Sequence, residues 1–191
     1  MESSKNNIEP KHEEVEMIQK AQSDIRFFEP LYNKYFDSIF RFVYRKTDDE
    51  QTAADITSKV FYNAMNALKN YRITDVSFGA WLYKIATNET YKFFRDYKKR
   101  HLSLEEEAVD RIMICEPVVG GEDQKMEILN RLISQLNETE VRILELKFFE
   151  NRNFSDIAFI VEMKESAVKM KLYRALDKLK KKYKEILSDK K

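Results

Sequence analysis

Between Trp81 and Lys99, the aromatic residues Trp81, Tyr83, Tyr91, Phe93, Phe94 and Tyr97 alternate with Lys84, Asn88, Lys92, Arg95, Lys98 and Lys99. Exposed rings stack on unpaired bases, and lysine or arginine beside them holds phosphates, so this mixture suits a single nucleic-acid strand. Most of the Phe side chains in such a stretch are expected inside a core.

A second stretch, Asn153 to Arg174, reads NFSDIAFIVEMKESAVKMKLYR. Ile157, Ala158, Ile160 and Val161 give a short helix an apolar face, and Met163 plugs a turn. Ala167, Val168, Leu172, Ala175 and Leu176 then follow at helical spacing. Between them stand Lys164, Lys169, Lys171 and Arg174. A short helix crossed by a basic one is the helix-turn-helix layout, whose second helix enters the major groove of duplex DNA. A lysine-rich helix can also be plain solvated surface.

Little else in the chain could do chemistry. His12 and His101 both lie in polar segments, and the single Cys115 excludes an intrachain disulfide and any multi-cysteine zinc site. There is no glycine-rich phosphate loop and no nucleophile elbow. The run Glu105 to Glu107 reads as solvated linker. The expectation is a protein without catalytic residues, cofactor or metal. No apolar run approaches a membrane span, and the N-terminus lacks a signal-peptide core, so a cytoplasmic protein without membrane insertion is expected.

The elements that must position these residues read as helices throughout. Three Gly and three Pro in 191 residues leave little material for hairpins. Net charge is only +1, but charge is sorted into blocks. Lys164–Lys184 is net +7, Lys92–Arg100 net +4 and Ser103–Gln124 net −6. Such blocks present basic faces to a polyanion.

In chain order, residues 1–22 form a polar tail and a short helix over Glu13–Gln22. Ser23 is the expected cap of a long amphipathic helix through Ile25, Phe28, Leu31, Tyr35, Ile39 and Phe42, with Pro30 marking a kink or a second start. A second helix runs from Ala53 to about Lys69, and a third from about Phe78 to the basic tail Lys98–Arg100. Residues 23–100 make one bundle. Residues 101–124, with Pro117 and Gly120–Gly121, form an extended acidic linker. Residues 125–191 make a second domain: a helix through Met126, Leu129 and Leu132, a helix capped by Asn137 and Glu140 with Val141, Leu144 and Phe148 inward, then the helix-turn-helix. The fold class is all-α, two small helical domains and a tether.

Four stretches together resemble the sigma-70 family of bacterial RNA polymerase sigma factors, extracytoplasmic-function (ECF) subfamily. SDIRFFEPLYNKYF is similar to the first helix of region 2. AADITSKVF, Ala53–Phe61, is similar to the segment that docks on the polymerase clamp. WLYKIATNETYKFFRDYKKR, Trp81–Arg100, is similar to the segment that melts and reads the −10 element. LNETEVRILELKFFENRNFSDIAFIVEMKESAVKMKLYRAL is similar to region 4, which reads the −35 element.

The resemblance implies a factor that joins core RNA polymerase at the β′ clamp helices and the β flap and directs promoter-specific initiation. It implies polymerase contacts at Asp55 and Lys59. It implies −10 contacts at Trp81, Tyr83, Asn88, Thr90, Lys92 and Arg95, with a flipped base captured nearby. It implies −35 contacts at Lys164, Lys169, Met170, Lys171, Tyr173 and Arg174, and phosphate contacts from Lys178–Lys184. An anti-sigma factor is the family's customary partner.

Five positions depart from the family pattern. Glu162 stands where a turn glycine is usual, which asks a non-glycine residue for a left-handed backbone. Lys164 replaces a serine cap and Ala167 a threonine. Lys59 and Ala54 replace acidic or amide residues of the docking segment. The alternative is a helix-turn-helix regulator that never joins polymerase, which leaves AADITSKVF and Trp81–Arg100 unexplained.

Overall fold

The computed structural model describes residues 9–101, 128–129 and 131–188, and among these all regular structure is helical. The predicted acidic linker, with Cys115, falls almost wholly outside the described residues.

Helix α1 (Glu9–Ser23) starts before the expected Glu13 and buries Ile18 and Ala21. Gln22 Nε2 ties its end to the carbonyls of Leu68 and Tyr71, at 2.9 and 2.7 Å. The cap predicted at Ser23 belongs to Asp24. Asp24 has an extended backbone, and its carboxylate accepts the Arg26 N–H, opening a 3-10 turn over Ile25–Phe28. Ser23 instead closes α1, its hydroxyl donating to the Lys20 carbonyl at 2.7 Å.

Helix α2 (Glu29–Thr47) has Pro30 in its first turn, where no N–H is needed, so Pro30 marks a second start and not a kink. Leu31, Tyr35, Ile39, Phe42 and Val43 are its buried face. Helix α3 (Glu50–Ala67) is capped by Asp49 and buries Ala53, Ile56, Val60, Phe61 and Ala64. A 3-10 turn, Leu68–Asn70, continues it. Helix α4 (Phe78–His101) follows, so His101 ends a helix and does not begin the linker. The Ser77 hydroxyl accepts the Ala80 N–H at the start of α4.

In the second unit, residues 131–133 are helical and Leu132 is buried. Helix α5 (Glu138–Phe148) starts with the expected capping box, Asn137 and Glu140 each accepting the other's backbone N–H. Its inward face is shifted from the expected one: Leu144 packs against the core as expected, but Phe148 does not. Ile143 and Leu146 are fully buried, whereas Phe148 is 60% exposed. Helix α6 (Phe154–Ile160) is capped by Asn153, and α7 (Glu165–Ser188) buries Val168, Leu172 and Ala175.

Between α6 and α7 Glu162 takes the left-handed backbone its position demands, φ 55°. Its carboxylate, at 2.9 Å from Lys84 Nζ, stays below the usual carboxylate range because of that hydrogen bond. Exchanging Glu162 for glycine removes the Cβ clash and sacrifices only an exposed pair, since the Glu162 side chain is 72% exposed. The thermal midpoint of Glu162→Gly is expected to rise by about 2–4 °C, read by circular dichroism.

Candidate nucleic-acid interface

Helix α4 has two unlike sides. Tyr83, Ala86, Thr90 and Phe94 recur at three and four residues and face the core. Asn88, Lys92 and Arg95, at the same spacing, form an exposed strip beside the exposed Tyr91. This strip and Arg142 of α5 line a cleft of about 580 Å³.

The six residues assigned to the −10 role therefore divide. Asn88, Lys92 and Arg95 share the strip. Trp81 sits at the start of α4, half-buried, its ring 4.7 Å from Tyr71 and 5.3 Å from Phe78. Burial, with Glu14 and Asp156 nearby, pushes the Tyr71 phenol up to about 12, so it stays a neutral ring surface. Tyr83 and Thr90 are not brought to the strip. Tyr83 is fully buried, edge-on to Phe42, with the Arg152 guanidinium 4.6 Å over its ring. The Tyr83 hydroxyl donates to Glu150. The Thr90 hydroxyl donates to the Ala86 carbonyl at 2.8 Å and is likewise buried. In this arrangement neither side chain is open to a base.

On α7 the outward residues are Met170 and Tyr173, 52% and 59% exposed, with Arg174 exposed beside them. Lys164 is exposed just ahead of the helix, and its carbonyl accepts the first α7 backbone bonds, from Ala167 and Val168. Lys171 is half-buried. Lys169 is engaged within its own helix, 2.5 Å from Glu165, and lies over Phe154. Of the cations expected on phosphates, Lys178 donates to Glu140 at 2.9 Å and Lys182 to Gln135. Burial opposes ionisation of Glu140, but Lys178, the Asn137 N–H and Lys171 hold its carboxyl below the usual range.

Asp55 and Lys59 sit one turn apart on the solvent side of α3. Tyr62, 65% exposed, continues that side and was not singled out from the sequence. The signal for it was its spacing of seven, two helical turns, from Asp55 on the side of α3 opposite the apolar positions.

A family model described as sigma-70 region 2 matches residues 31–100, and one described as sigma-70 region 4 matches residues 126–179. The exposed α4 strip lies in the first match, and α6 and α7 in the second up to residue 179. Among curated relatives, the ECF RNA polymerase sigma factor BldN of Streptomyces coelicolor is 27% identical over 168 residues, covering 85% of this chain and 62% of that protein.

The chain belongs to the ECF subfamily of sigma-70 factors.

It is an RNA polymerase sigma factor that directs transcription initiation. RNA polymerase sigma factor YlaC of Bacillus subtilis is 28% identical over 156 residues, covering 80% of this chain and 90% of YlaC. The sigma factor thus spans under two-thirds of BldN and nine-tenths of YlaC. The solved structure of the sigma factor RpoE with the anti-sigma factor NepR from Bartonella quintana has the same fold. Its TM-score is 0.60 at 16% identity, covering 82% of this chain and 96% of that one. No helix among the described residues is long and apolar enough to cross a membrane.

Proposed function

We propose that this sigma factor joins core RNA polymerase through the solvent side of α3 and reads a two-part promoter with two separate helix faces. The exposed strip Asn88, Lys92 and Arg95, with Trp81 at its head, takes the displaced −10 strand. The outward face of α7, Met170, Tyr173 and Arg174, enters the major groove at the −35 element, with Lys164, Lys169 and Lys171 at its flank. The observation that carries this reading is the exposure, on two helices, of one aromatic-and-cation strip suited to a single strand and one basic face suited to a groove.

The factor carries no catalytic group of its own, since nucleotide addition belongs to the polymerase. It acts in the cytoplasm, where polymerase and promoter are. An anti-sigma factor is its regulator, by analogy with the RpoE–NepR pair.

The test is run-off transcription with purified core polymerase on a random promoter library. Core polymerase with the factor should select templates that neither selects alone, and failure to select any would overturn the reading. Two variants separate the surfaces. Tyr173→Ala with Arg174→Ala should lower initiation about tenfold and relax preference only in the −35 half of the selected sites. Asp55→Arg should weaken the polymerase complex about tenfold in gel filtration while leaving helix content intact.

A further inference from the structure

Helix α1 stands ahead of the region 2 match, which begins at residue 31, yet it holds the segment that leads into α4. Its last turn carries Gln22. Both hydrogens of the Gln22 amide are used, one on the Leu68 carbonyl at 2.9 Å and one on the Tyr71 carbonyl at 2.7 Å. The Leu68 carbonyl also accepts the Tyr71 backbone N–H at 3.0 Å, which closes the 3-10 turn after α3. One side chain from α1 therefore clamps both ends of that turn. Residues 71–77 beyond it are not helical, so their course depends on where the turn releases them.

The first ring released is Tyr71. It lies 4.7 Å from Trp81 and, edge-on, 5.3 Å from Phe78. Phe78, fully buried, is the hub of the group, 5.3 Å from Trp81 and 5.7 Å from Tyr35. Helix α1 reaches this group a second time, because Glu14 accepts the Tyr35 hydroxyl and, at 2.8 Å, the Lys34 ammonium. Tyr71, Arg72, Val76 and Trp81, with Phe159 of α6, line a cleft of about 240 Å³. Gln22 does not line it; it holds the backbone of a lining residue. A ring discriminates between bases only when a supporting shell of hydrogen bonds keeps it in place.

We infer that Gln22 is a positioning residue for −10 recognition: its amide, delivered by α1, sets the turn from which Tyr71 and Trp81 take their mutual placement. This rests on the reading of Trp81 as a ring that meets a −10 base. The reason for glutamine is chemical. Two carbonyls need two N–H groups from one atom, without a buried charge, and asparagine is one methylene too short.

The test is run-off transcription by core polymerase with the full-length factor, on a library whose −35 half is fixed to a selected sequence and whose −10 half is random. Gln22→Met keeps the length of the side chain and removes both donors. It should flatten the base preference at the most selective −10 position about fivefold, with polymerase binding and helix content at wild-type levels. Trp81 is the chain's one tryptophan, and its emission should shift in the free variant as Tyr71 moves. If Gln22→Met loses helix content, Gln22→Asn should flatten the preference in the same direction. Val43→Ala, two helical turns beyond Tyr35 on α2, is the control for stability alone. At a lowered urea midpoint it should leave the −10 preference unchanged. A wild-type preference in the Gln22 variants, or equal flattening by Val43→Ala, overturns the inference. Trp81→Ala separates this from the reading beneath it. A preference changed by Trp81→Ala and not by the Gln22 variants sinks the role of Gln22 alone, whereas a preference that Trp81→Ala leaves intact sinks Trp81 as a base contact and this inference with it.

Discussion

Replacing Asn88, Lys92 and Arg95 together by alanine is expected to cut run-off transcription from a duplex promoter about a hundredfold while leaving polymerase binding unchanged. The three side chains share the exposed strip of α4, and no buried group depends on them, so global stability should stay within about 0.5 kcal/mol of wild type. What disappears is the hold on the displaced strand. Two lost phosphate contacts on a single strand lower the slope of log affinity against log salt by about 1.4. Lys92→Ala and Arg95→Ala should weaken every promoter alike, because phosphates carry no sequence. Trp81→Ala should instead alter which −10 sequences are opened, because the proposed reading sets its ring against a base. Wild-type transcription from the triple variant, or a salt slope that does not move, would remove α4 from the strand-reading role.

The helices of this protein were legible because their signals are local. The apolar period of α2 and the Asn137–Glu140 capping box each depend on neighbours within a few residues, and the structure has both; the left-handed turn at Glu162 was expected from the resemblance to the family and is present too. Ser23 and Asp24 both look like caps, and only the extended backbone at Asp24 decides between them. What was not legible is long-range. Glu145, Glu150 and Asp156 look like surface carboxylates, but partners 79 to 105 residues away enclose them. Tyr83 was expected to face DNA for the same reason. Its ring lies on the core side of α4, and its hydroxyl and upper face are closed by Glu150 and Arg152, which no spacing on α4 announces. Phe148 was expected inside because it continues a run of three and four. The face that packs is set instead by Ile143 and Leu146, which leaves Phe148 outside.

Gly79→Val is expected to cost about 2 kcal/mol of stability in urea unfolding, although glycine is a poor helix former and its replacement would ordinarily help. Gly79 lies in the first turn of α4, and a Cβ there would sit 2.9 Å from Tyr35 Cε1 and 3.0 Å from Arg152 Nη1. The arginine tip can swing away. The Tyr35 ring cannot, because it is buried, packs 5.7 Å from Phe78 and donates its hydroxyl to Glu14. Burial, then the hydrogen bond to Glu14, pushes the Tyr35 phenol well above its usual range, so this donor is not lost by ionisation at any ordinary pH. Gly79→Ala should show the smaller loss, because one methyl group adds helix propensity while demanding the same shift of Tyr35. Both variants should also displace Arg152 from the face of Tyr83, loosening the second unit from α4. A Gly79→Val protein as stable as wild type would mean that the close approach of α2, α4 and Arg152 is not how this chain packs.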